Sequence, residues 1–320
     1  MIIVTGGAGF IGSNLVKGLN EQGIEDILVV DNLGSSLKFR NLNGLKFKDY
    51  LHKEDFLTRL ETGRFHGQAI EAIFHNGACS NTMEPDGNYM MANNYEYSKI
   101  MLHHALEHRI PFMYASSASV YGDGAQGFRE EPACEEALNV YAYSKLQFDR
   151  YVRQVKSEAS SQVVGLRYFN VFGPQENHKG RMASVAFHFH NQLLENGVIK
   201  LFAGTDGYAD GEQRRDFIYV KDVVRVNLHF WQNPQISGVF NCGTGTAHSF
   251  NDVARALIAH YGKGSIAYIP FPEALQGKYQ SFTESDASQL RQAGFTTDFT
   301  PLTAAVADYA GILDTKGGYV

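Results

Sequence analysis

The apolar pattern opens with Ile2-Ile3-Val4, a run of β-formers that enters Thr5-Gly6-Gly7-Ala8-Gly9-Phe10-Ile11-Gly12. The period then changes, because Ile11, Leu15, Val16 and Leu19 recur at helical spacing. The same alternation continues downstream. Apolar runs predict strands over 27–30, 70–74, 111–116 and 163–168, and amphipathic stretches predict helices over 53–60, 89–108 and 139–155. Strands this uniformly apolar are buried on both faces, and their alternation with helices predicts a doubly wound parallel α/β sheet over the first 170 residues. Beyond residue 170 the alternation loosens. A polar loop at 177–181 precedes a helix at 182–194, and a Gly- and acid-rich loop follows at 205–213, expected to be mobile. A helix ending near 231, a strand at 239–241, a helix at 249–260, a strand at 266–269 and helices from 283 complete the chain. The expected division places 1–170 and 216–262 in the sheet domain. A smaller, discontinuous lobe takes 171–215 and 263–320, with the active site expected in the cleft between them.

The turn out of the first strand carries the first chemistry. Gly6 permits a sharp turn, Gly9 lets a ligand approach the backbone, and Gly12 lets the helix lie close to the sheet. With Phe10 and Ile11 these residues form a helix N-terminus whose free N–H groups suit a pyrophosphate. Glycines also cluster in ordinary turns. Here, however, the cluster follows a strand, precedes a helix and has an acid, Asp31, at the right distance for an adenosine ribose. Asp31 and Asn32 at the second strand tip favour NAD. Lys38 and Lys53 nearby can pair with a 2′-phosphate and favour NADP, or be solvated surface lysines. Asn76, Gly77, Ala78, Cys79 and Ser80 follow the next apolar strand, where small residues let a cofactor lie against the sheet.

Composition narrows the class. The chain has 320 residues, 44% hydrophobic and 19% charged, which suits a globular protein of one large or two modest domains. A net charge of -6 without a basic tail argues against a nucleic-acid partner. No apolar run is long enough to span a bilayer, and Met1 leads directly into a strand, so neither a membrane anchor nor a signal peptide is expected. Three scattered cysteines, Cys79, Cys134 and Cys242, point to reduced thiols and a cytoplasmic setting. His103, His104 and His108 share one helix, but no acid or cysteine completes a ligand set, so no metal is expected.

Ser117 ends the 111–116 strand, and Tyr141 and Lys145 stand four apart on the next helix, sharing a face. Alone, a Tyr–Lys pair is common on helix surfaces; after a dinucleotide loop and a serine it is far more specific. The glycine loop, Ser117, Tyr141-x-x-x-Lys145, the 167–174 stretch Arg-Tyr-Phe-Asn-Val-Phe-Gly-Pro and Arg215-Asp216-Phe217 resemble the extended short-chain dehydrogenase/reductases, nucleotide-sugar enzymes with a Rossmann sheet. The resemblance covers nearly the whole chain. The stretches 90–95, 178–188 and 277–283 are similar to the branch that epimerises ADP-heptose at C6″ for lipopolysaccharide core synthesis. This resemblance implies tightly bound NADP and a cytoplasmic homo-oligomer, a pentamer in that branch. It adds Asn93 and Val171 to the cofactor contacts. It also adds Lys179, either as a second acid/base or as a phosphate or cofactor contact. Asn170, Arg181, His188, Phe202, Ala203, Gly204, Thr205, Arg215 and Tyr279 match substrate-contact positions. Three features differ: Asn76 stands where relatives carry Glu, Arg181 where they carry Ser, and the 205–213 loop is longer.

Inverting an unactivated secondary carbinol requires breaking a non-acidic C–H bond. A nicotinamide can take that hydrogen as hydride and return it to the other face, so it is recycled. The hydroxyl proton needs a base and then an acid. Tyr141 is the first candidate, with Lys145 expected to lower its pKa and to hold the nicotinamide ribose, and with Ser117 bonding the reacting oxygen. A UDP-hexose 4-epimerase shares these core motifs. A 4,6-dehydratase needs an Asp-Glu pair where Ala118-Ser119 stand, and a non-catalytic NADP sensor has no need of the Tyr–Lys pair.

Overall fold

The computed structural model describes residues 1–34, 36–155, 161–273 and 279–320; Gly277 and Lys278 of the 277–283 signature lie outside them. In order the chain forms β1 (Ile2–Thr5), α1 (Phe10–Glu21), β2 (Ile27–Asp31), β3 (Asp49–His52), α2 (Lys53–Glu61), β4 (Ala72–His75), α3 (Gly87–Met91), α4 (Tyr97–Glu107), β5 (Phe112–Ser117), α5 (Val140–Val155) and β6 (Val163–Tyr168). It continues with β7 (Asn170–Phe172), α6 (Val185–Asn196), β8 (Val198–Phe202), β9 (Arg214–Arg215), β10 (Phe217–Tyr219), α7 (Val220–Gln232) and β11 (Gly238–Cys242). Then follow β12 (His248–Ser249), α8 (Phe250–Tyr261), β13 (Ser265–Ile269), α9 (Ser288–Gln292) and α10 (Leu302–Lys316).

Seven strands make one sheet in the order β11-β6-β5-β4-β1-β2-β3. The registered pairs β1–β2, β1–β4, β2–β3 and β4–β5 are all parallel. Every residue of β1, β2, β4 and β6 is buried, as uninterrupted apolar runs in a doubly covered sheet require. On one face Phe56 and Leu60 of α2, Met101 and Leu102 of α4, and Phe148 and Val152 of α5 pack on Ile3, Leu28, Ile73 and Phe112. Elsewhere α1 and α7 come together at Gly18, where a Cβ would stand 2.4 Å from Val224 Cγ1. The strand order turns back at β1, which has β2 on one side and β4 on the other. The C-terminal ends of strands at such a switch point are where open α/β sheets bind ligands.

Two local features depart from the periodicity. β3 is an edge strand with only Leu51 buried, so no apolar run announces it. The expected 89–108 helix carries a π-turn at Ala92–Glu96, which brings Asn93 and Asn94 into its widened coil.

The chain divides into two compact units. One holds Met1–Val120, Asn139–Arg167 and Val224–Phe240; the other holds Tyr121–Leu138, Tyr168–Val223 and Asn241–Val320. The boundary therefore falls earlier than the expected 262, and 121–138 belongs with the second unit. The reason is packing: α8 lies against α6 and α10, not on the sheet. Within the second unit β13 runs parallel to β8, β10 parallel to β7, and β12 antiparallel to β9. α8 begins at a capping box between Ser249 and Asp252. α6 begins after Ser184, whose hydroxyl accepts from the Phe187 N–H, so the helix starts three residues later than the 182 expected. The polar 177–181 loop is a 3-10 turn over Asn177–Met182. Residues 283–287 are not helical. No helix among the described residues is long and apolar enough to cross a membrane.

Candidate active site

In the first unit β1 delivers Gly6 in a left-handed conformation, φ 66°, with its α-carbon against the Asn76–Gly77 peptide, so a Cβ there would stand 2.7 Å from both. Gly12, one turn into α1, sits so close that a Cβ would stand 2.1 Å from the Gly6 carbonyl oxygen. The loop therefore folds only with glycines at these places, and α1 starts directly behind it at Phe10 and Ile11 with Gly9 as its N-cap. Gly9 supplies no side-chain cap, which leaves helix N-terminal N–H groups for an anion.

Asp31 is buried at the tip of β2. One carboxylate oxygen accepts from the Ala8 N–H at 2.8 Å, and the other accepts from the Asn32 N–H at 2.6 Å and from Lys38 Nζ at 2.8 Å. Lys53 Nζ donates to Asn93 Oδ1 at 2.7 Å. Gly6, Asp31, Asn32, Lys38, Lys53, Gly77, Ala78, Cys79 and Asn93 all line one cleft. Asn76 joins through its main chain, whose N–H donates to the Thr5 carbonyl at 3.0 Å. Ser80 is not among the cleft's lining residues. A glycine cradle at a helix N-terminus, an acid and two ammonium groups fits an adenine dinucleotide.

Asn94, which the periodicity did not single out, fixes the far wall. Its side chain accepts from the Cys79 N–H at 2.8 Å, donates to the Cys79 carbonyl at 2.9 Å and reaches Ser144 Oγ at 3.1 Å. The cleft loop is thereby fastened to α5, one residue from Lys145.

Ser117 is the last residue of β5 and hydrogen-bonds Tyr141. Ser119 Oγ also donates to Ser117 Oγ at 2.9 Å. Lys145 is buried, and its ammonium donates to the Ala115 carbonyl at 2.8 Å. Burial brings the Lys145 pKa down to about 8, against opposing pulls from Asp149 and Cys79. The expected lowering of the Tyr141 pKa is not found. Burial pushes its phenol up, the Ser117 hydrogen bond pulls it down, and Cys79 adds a smaller upward push. The physical reason is that burial disfavours a phenolate, and the Lys145 proton is directed at a main-chain carbonyl.

In the second unit Glu176 is fully buried and accepts from both the N–H and the Oγ of Ser184, each at 2.6 Å. This clamp closes the turn that carries Lys179 and the exposed Arg181. Burial lowers the Lys179 pKa, and Glu176 opposes it. His188, on α6, is held through its N–H to the Ser184 carbonyl at 3.1 Å. Val171 pairs with Ile218 between β7 and β10.

Arg215 is buried between rings: Tyr279 at 4.8 Å and Phe250 at 5.7 Å from its guanidinium carbon. The row continues edge to face from Tyr279 to Phe271 at 5.3 Å and on to Phe202 at 5.6 Å. Three expected substrate residues, Phe202, Arg215 and Tyr279, are thus brought into one row. Ala203 donates its N–H to the Ile269 carbonyl at 2.8 Å. The 205–213 loop is internally bonded: Gly204 N–H donates to Asp210 Oδ1 at 2.8 Å, and Tyr208 N–H to the Thr205 carbonyl at 3.0 Å.

Asp216, a member of the Arg215-Asp216-Phe217 motif to which the sequence assigned no role, is a hub. Its buried carboxylate accepts from Thr244 N–H and Oγ1, Gly245 N–H, and Ser285 N–H and Oγ, all at 2.7–3.0 Å. This accounts for the non-helical 283–287 segment. Asn170 closes the same region, its side chain accepting from Thr283 Oγ1 at 3.3 Å.

Histidines at the end of α4 do approach one another: the His104 ring lies 4.4 Å from that of His108, the residue after the helix, and His66, from the loop after α2, lies 5.5 Å from His108. Among the described residues no group of three or more His, Cys, Asp or Glu is arranged to hold a metal. All three cysteines are free.

The sheet, the glycine cradle and the Ser–Tyr–Lys grouping define a dinucleotide-dependent enzyme of the short-chain dehydrogenase type, and the chain belongs to the NAD dependent epimerase/dehydratase family, whose pattern matches residues 2–243. Over 322 residues it is 56% identical to the curated ADP-L-glycero-D-manno-heptose-6-epimerase of Brachyspira hyodysenteriae (strain ATCC 49526 / WA1), with 100% of both chains covered. Among solved structures it is similar to the Helicobacter pylori ADP-L-glycero-D-manno-heptose-6-epimerase, at 30% identity, a TM-score of 0.85 and coverage of 98% of this chain and 96% of that one. It is also similar to the UDP-glucose 4-epimerase of Thermotoga maritima, at 26% identity, a TM-score of 0.81 and coverage of 98% and 99%.

Proposed function

We propose that this protein interconverts ADP-D-glycero-D-manno-heptose and ADP-L-glycero-D-manno-heptose at C6″, using tightly bound NADP. The observation that carries this reading is full-length likeness to a heptose epimerase in a chain that also keeps the Ser117–Tyr141–Lys145 grouping. Identity to the UDP-glucose 4-epimerase is less than half as high. The nicotinamide supplies reversible hydride storage, so the sugar is oxidised at C6″ and reduced again without net consumption of cofactor.

The protein's own residues move and hold the protons. Tyr141 takes the C6″ hydroxyl proton, and Ser117 hydrogen-bonds the same oxygen. Lys145 holds the nicotinamide ribose, and its ammonium favours the phenolate once the ligands are in place. Lys179 serves as the second acid/base for the epimer whose oxygen is oppositely presented, and burial lowers its pKa, which eases release of its proton. Arg215, with Tyr279, grips the ADP diphosphate, and Arg181, His188, Asn170 and the 202–205 strand end contact the sugar nucleotide. Lys38 and Lys53 select NADP by pairing with its 2′-phosphate, Lys38 leaving Asp31 to do so. The setting is a cytoplasmic homo-oligomer, a pentamer, that supplies lipopolysaccharide core heptose.

The test is direct. The purified protein is incubated with ADP-heptose, UDP-glucose and UDP-N-acetylglucosamine, and stereochemistry at each carbinol is followed by NMR. Inversion at C6″ of the heptose alone is expected; inversion at C4″ of a UDP-hexose alone overturns the substrate. Cofactor released by denaturation from protein purified without supplement is identified by mass. NADP is expected, and a majority of NAD overturns the cofactor choice.

A further inference from the structure

Asp149 stands one helical turn beyond Lys145 on α5 and is fully buried. Its Oδ1 accepts from Tyr114 Oη at 3.0 Å, and its Oδ2 accepts from Ser116 Oγ at 2.9 Å and from Arg167 Nε at 2.9 Å. Tyr114 and Ser116 flank Ala115 on β5, and the Ala115 carbonyl is the acceptor of the Lys145 ammonium. One carboxylate therefore pins the residues on both sides of the carbonyl that anchors Lys145, and Arg167 adds β6 to the same point. A buried ion pair is a weak stability device, because apolar residues of similar volume often serve equally well or better. A charge here has a clearer use. We propose that Asp149 is a positioning residue for the epimerisation, whose negative charge and three hydrogen bonds keep Lys145 an ammonium aimed along β5 beside Tyr141.

The titratable and charged groups around Lys145 and its Asp149 partner are these. On its own helix they are Tyr141 and Asp149, with Arg153 further along acting on Tyr114. From β4 and the loop behind it come His75, which burial and Lys145 together hold neutral, and Cys79. From β5 and β6 come Tyr114 and Arg167. Burial draws the Lys145 proton off, and Asp149 is the largest opposing influence.

The inference rests on the proposed epimerase activity, so wild-type turnover of ADP-heptose is measured first; its absence strikes that reading, not this one. The pH profile of kcat is then compared across variants, since Lys145 must stay protonated and activity falls as pH rises through its pKa. Asp149→Asn should move this alkaline limb down by about one unit or more, the effect of losing a nearby opposite charge. Arg167→Gln should move it up, because the carboxylate field on Lys145 is no longer offset. Asp149→Glu should return it towards wild type. A merely structural role lowers activity in all three without moving the limb. If Asp149→Asn fails to fold, Asp149→Asn with Arg167→Gln removes both charges together and should still lower the limb, and Arg167→Gln alone decides by its upward shift. NMR titration of the full chain carrying lysine labelled at Cε should show the same shifts in the Lys145 signal. A Lys145 signal and limb that stay fixed, or that move in one direction in Asp149→Asn and Arg167→Gln alike, overturn the proposal.

Discussion

The two units hold their candidate site residues by different means. In the first, Gly6, Asp31, Gly77 and Ser117 stand at or just beyond the C-terminal ends of β1, β2, β4 and β5, so the parallel sheet spaces them. In the second, the strands that carry Asn170, Arg215 and Phe202 are two to five residues long. Order there comes from side chains: the buried Asp216 with its five donors, the buried Glu176 on Ser184, and the half-buried row from Phe202 through Tyr279 to Arg215. A main-chain scaffold tolerates most changes except at its close approaches. A scaffold made of a few buried carboxylates concentrates its stability in single residues, and its shape can change with sequence while the sheet stays the same. That is a physical basis for one dinucleotide platform serving many sugars.

The largest effects should separate chemistry from scaffold. Tyr141→Phe keeps shape and burial but removes the proton-transfer group, so turnover should drop about 10²–10⁴-fold with cofactor still bound. Lys179→Met should cripple epimerisation to a similar degree, since the proposed mechanism uses both groups in a full cycle. Near-normal maximal turnover in a cofactor-loaded Lys179→Met protein would return all proton transfer to Tyr141. Steady-state assays with cofactor occupancy checked by absorbance measure both.

Next in size is the carboxylate hub. Asp216→Ala strands the two buried donors of Ser285 and unpairs part-buried donors of Thr244 and Gly245, and each buried group left unsatisfied costs about 1–3 kcal/mol. Chemical denaturation should show a loss of several kcal/mol, whereas a fall of under about 1 kcal/mol would mean the second unit does not depend on its side-chain hub.

Arg215→Ala should weaken ADP-sugar binding by about 1.5–3 kcal/mol, the worth of a charge-assisted contact, and leave the bound cofactor in place. Calorimetric titration with ADP-heptose reads this directly. Unchanged affinity removes Arg215 from the site and leaves the aromatic row a packing feature. The smallest expected effect is that of Tyr279→Leu, which keeps bulk but removes the ring under the guanidinium. About 0.5–2 kcal/mol of affinity should go, with turnover at saturation preserved.

Much of the first unit was legible because its signals are local. A run of β-formers, three glycines at fixed spacing and a helical period sit within a dozen residues, and Tyr141 and Lys145 need only 3.6-fold periodicity to share a face. β3 was not legible, since a polar edge strand has one buried position and so no pattern. Asn94 was hidden for a different reason. Its importance comes from a π-turn and from a loop fifteen residues away in sequence, neither of which leaves a mark in the apolar rhythm. The pKa of Tyr141 went the other way from expectation because burial, a property of the assembled unit, outweighs the Ser117 hydrogen bond, while the Lys145 ammonium is directed at the Ala115 carbonyl.

The sequence by itself determined the inner strands of the sheet, the glycine cradle, the Ser–Tyr–Lys grouping and the family, because these follow from short-range backbone preferences and spacing. Tertiary structure alone decided that Asp31 is paired with Lys38, that Arg215 lies among rings, that Asp216 and Glu176 organise the second unit, and that Asp149 stands behind Lys145. Each of these joins residues far apart in the chain or dry in the fold. Electrostatic and hydrogen-bond strength depends on distance and on exclusion of water, and neither quantity exists until the chain has folded.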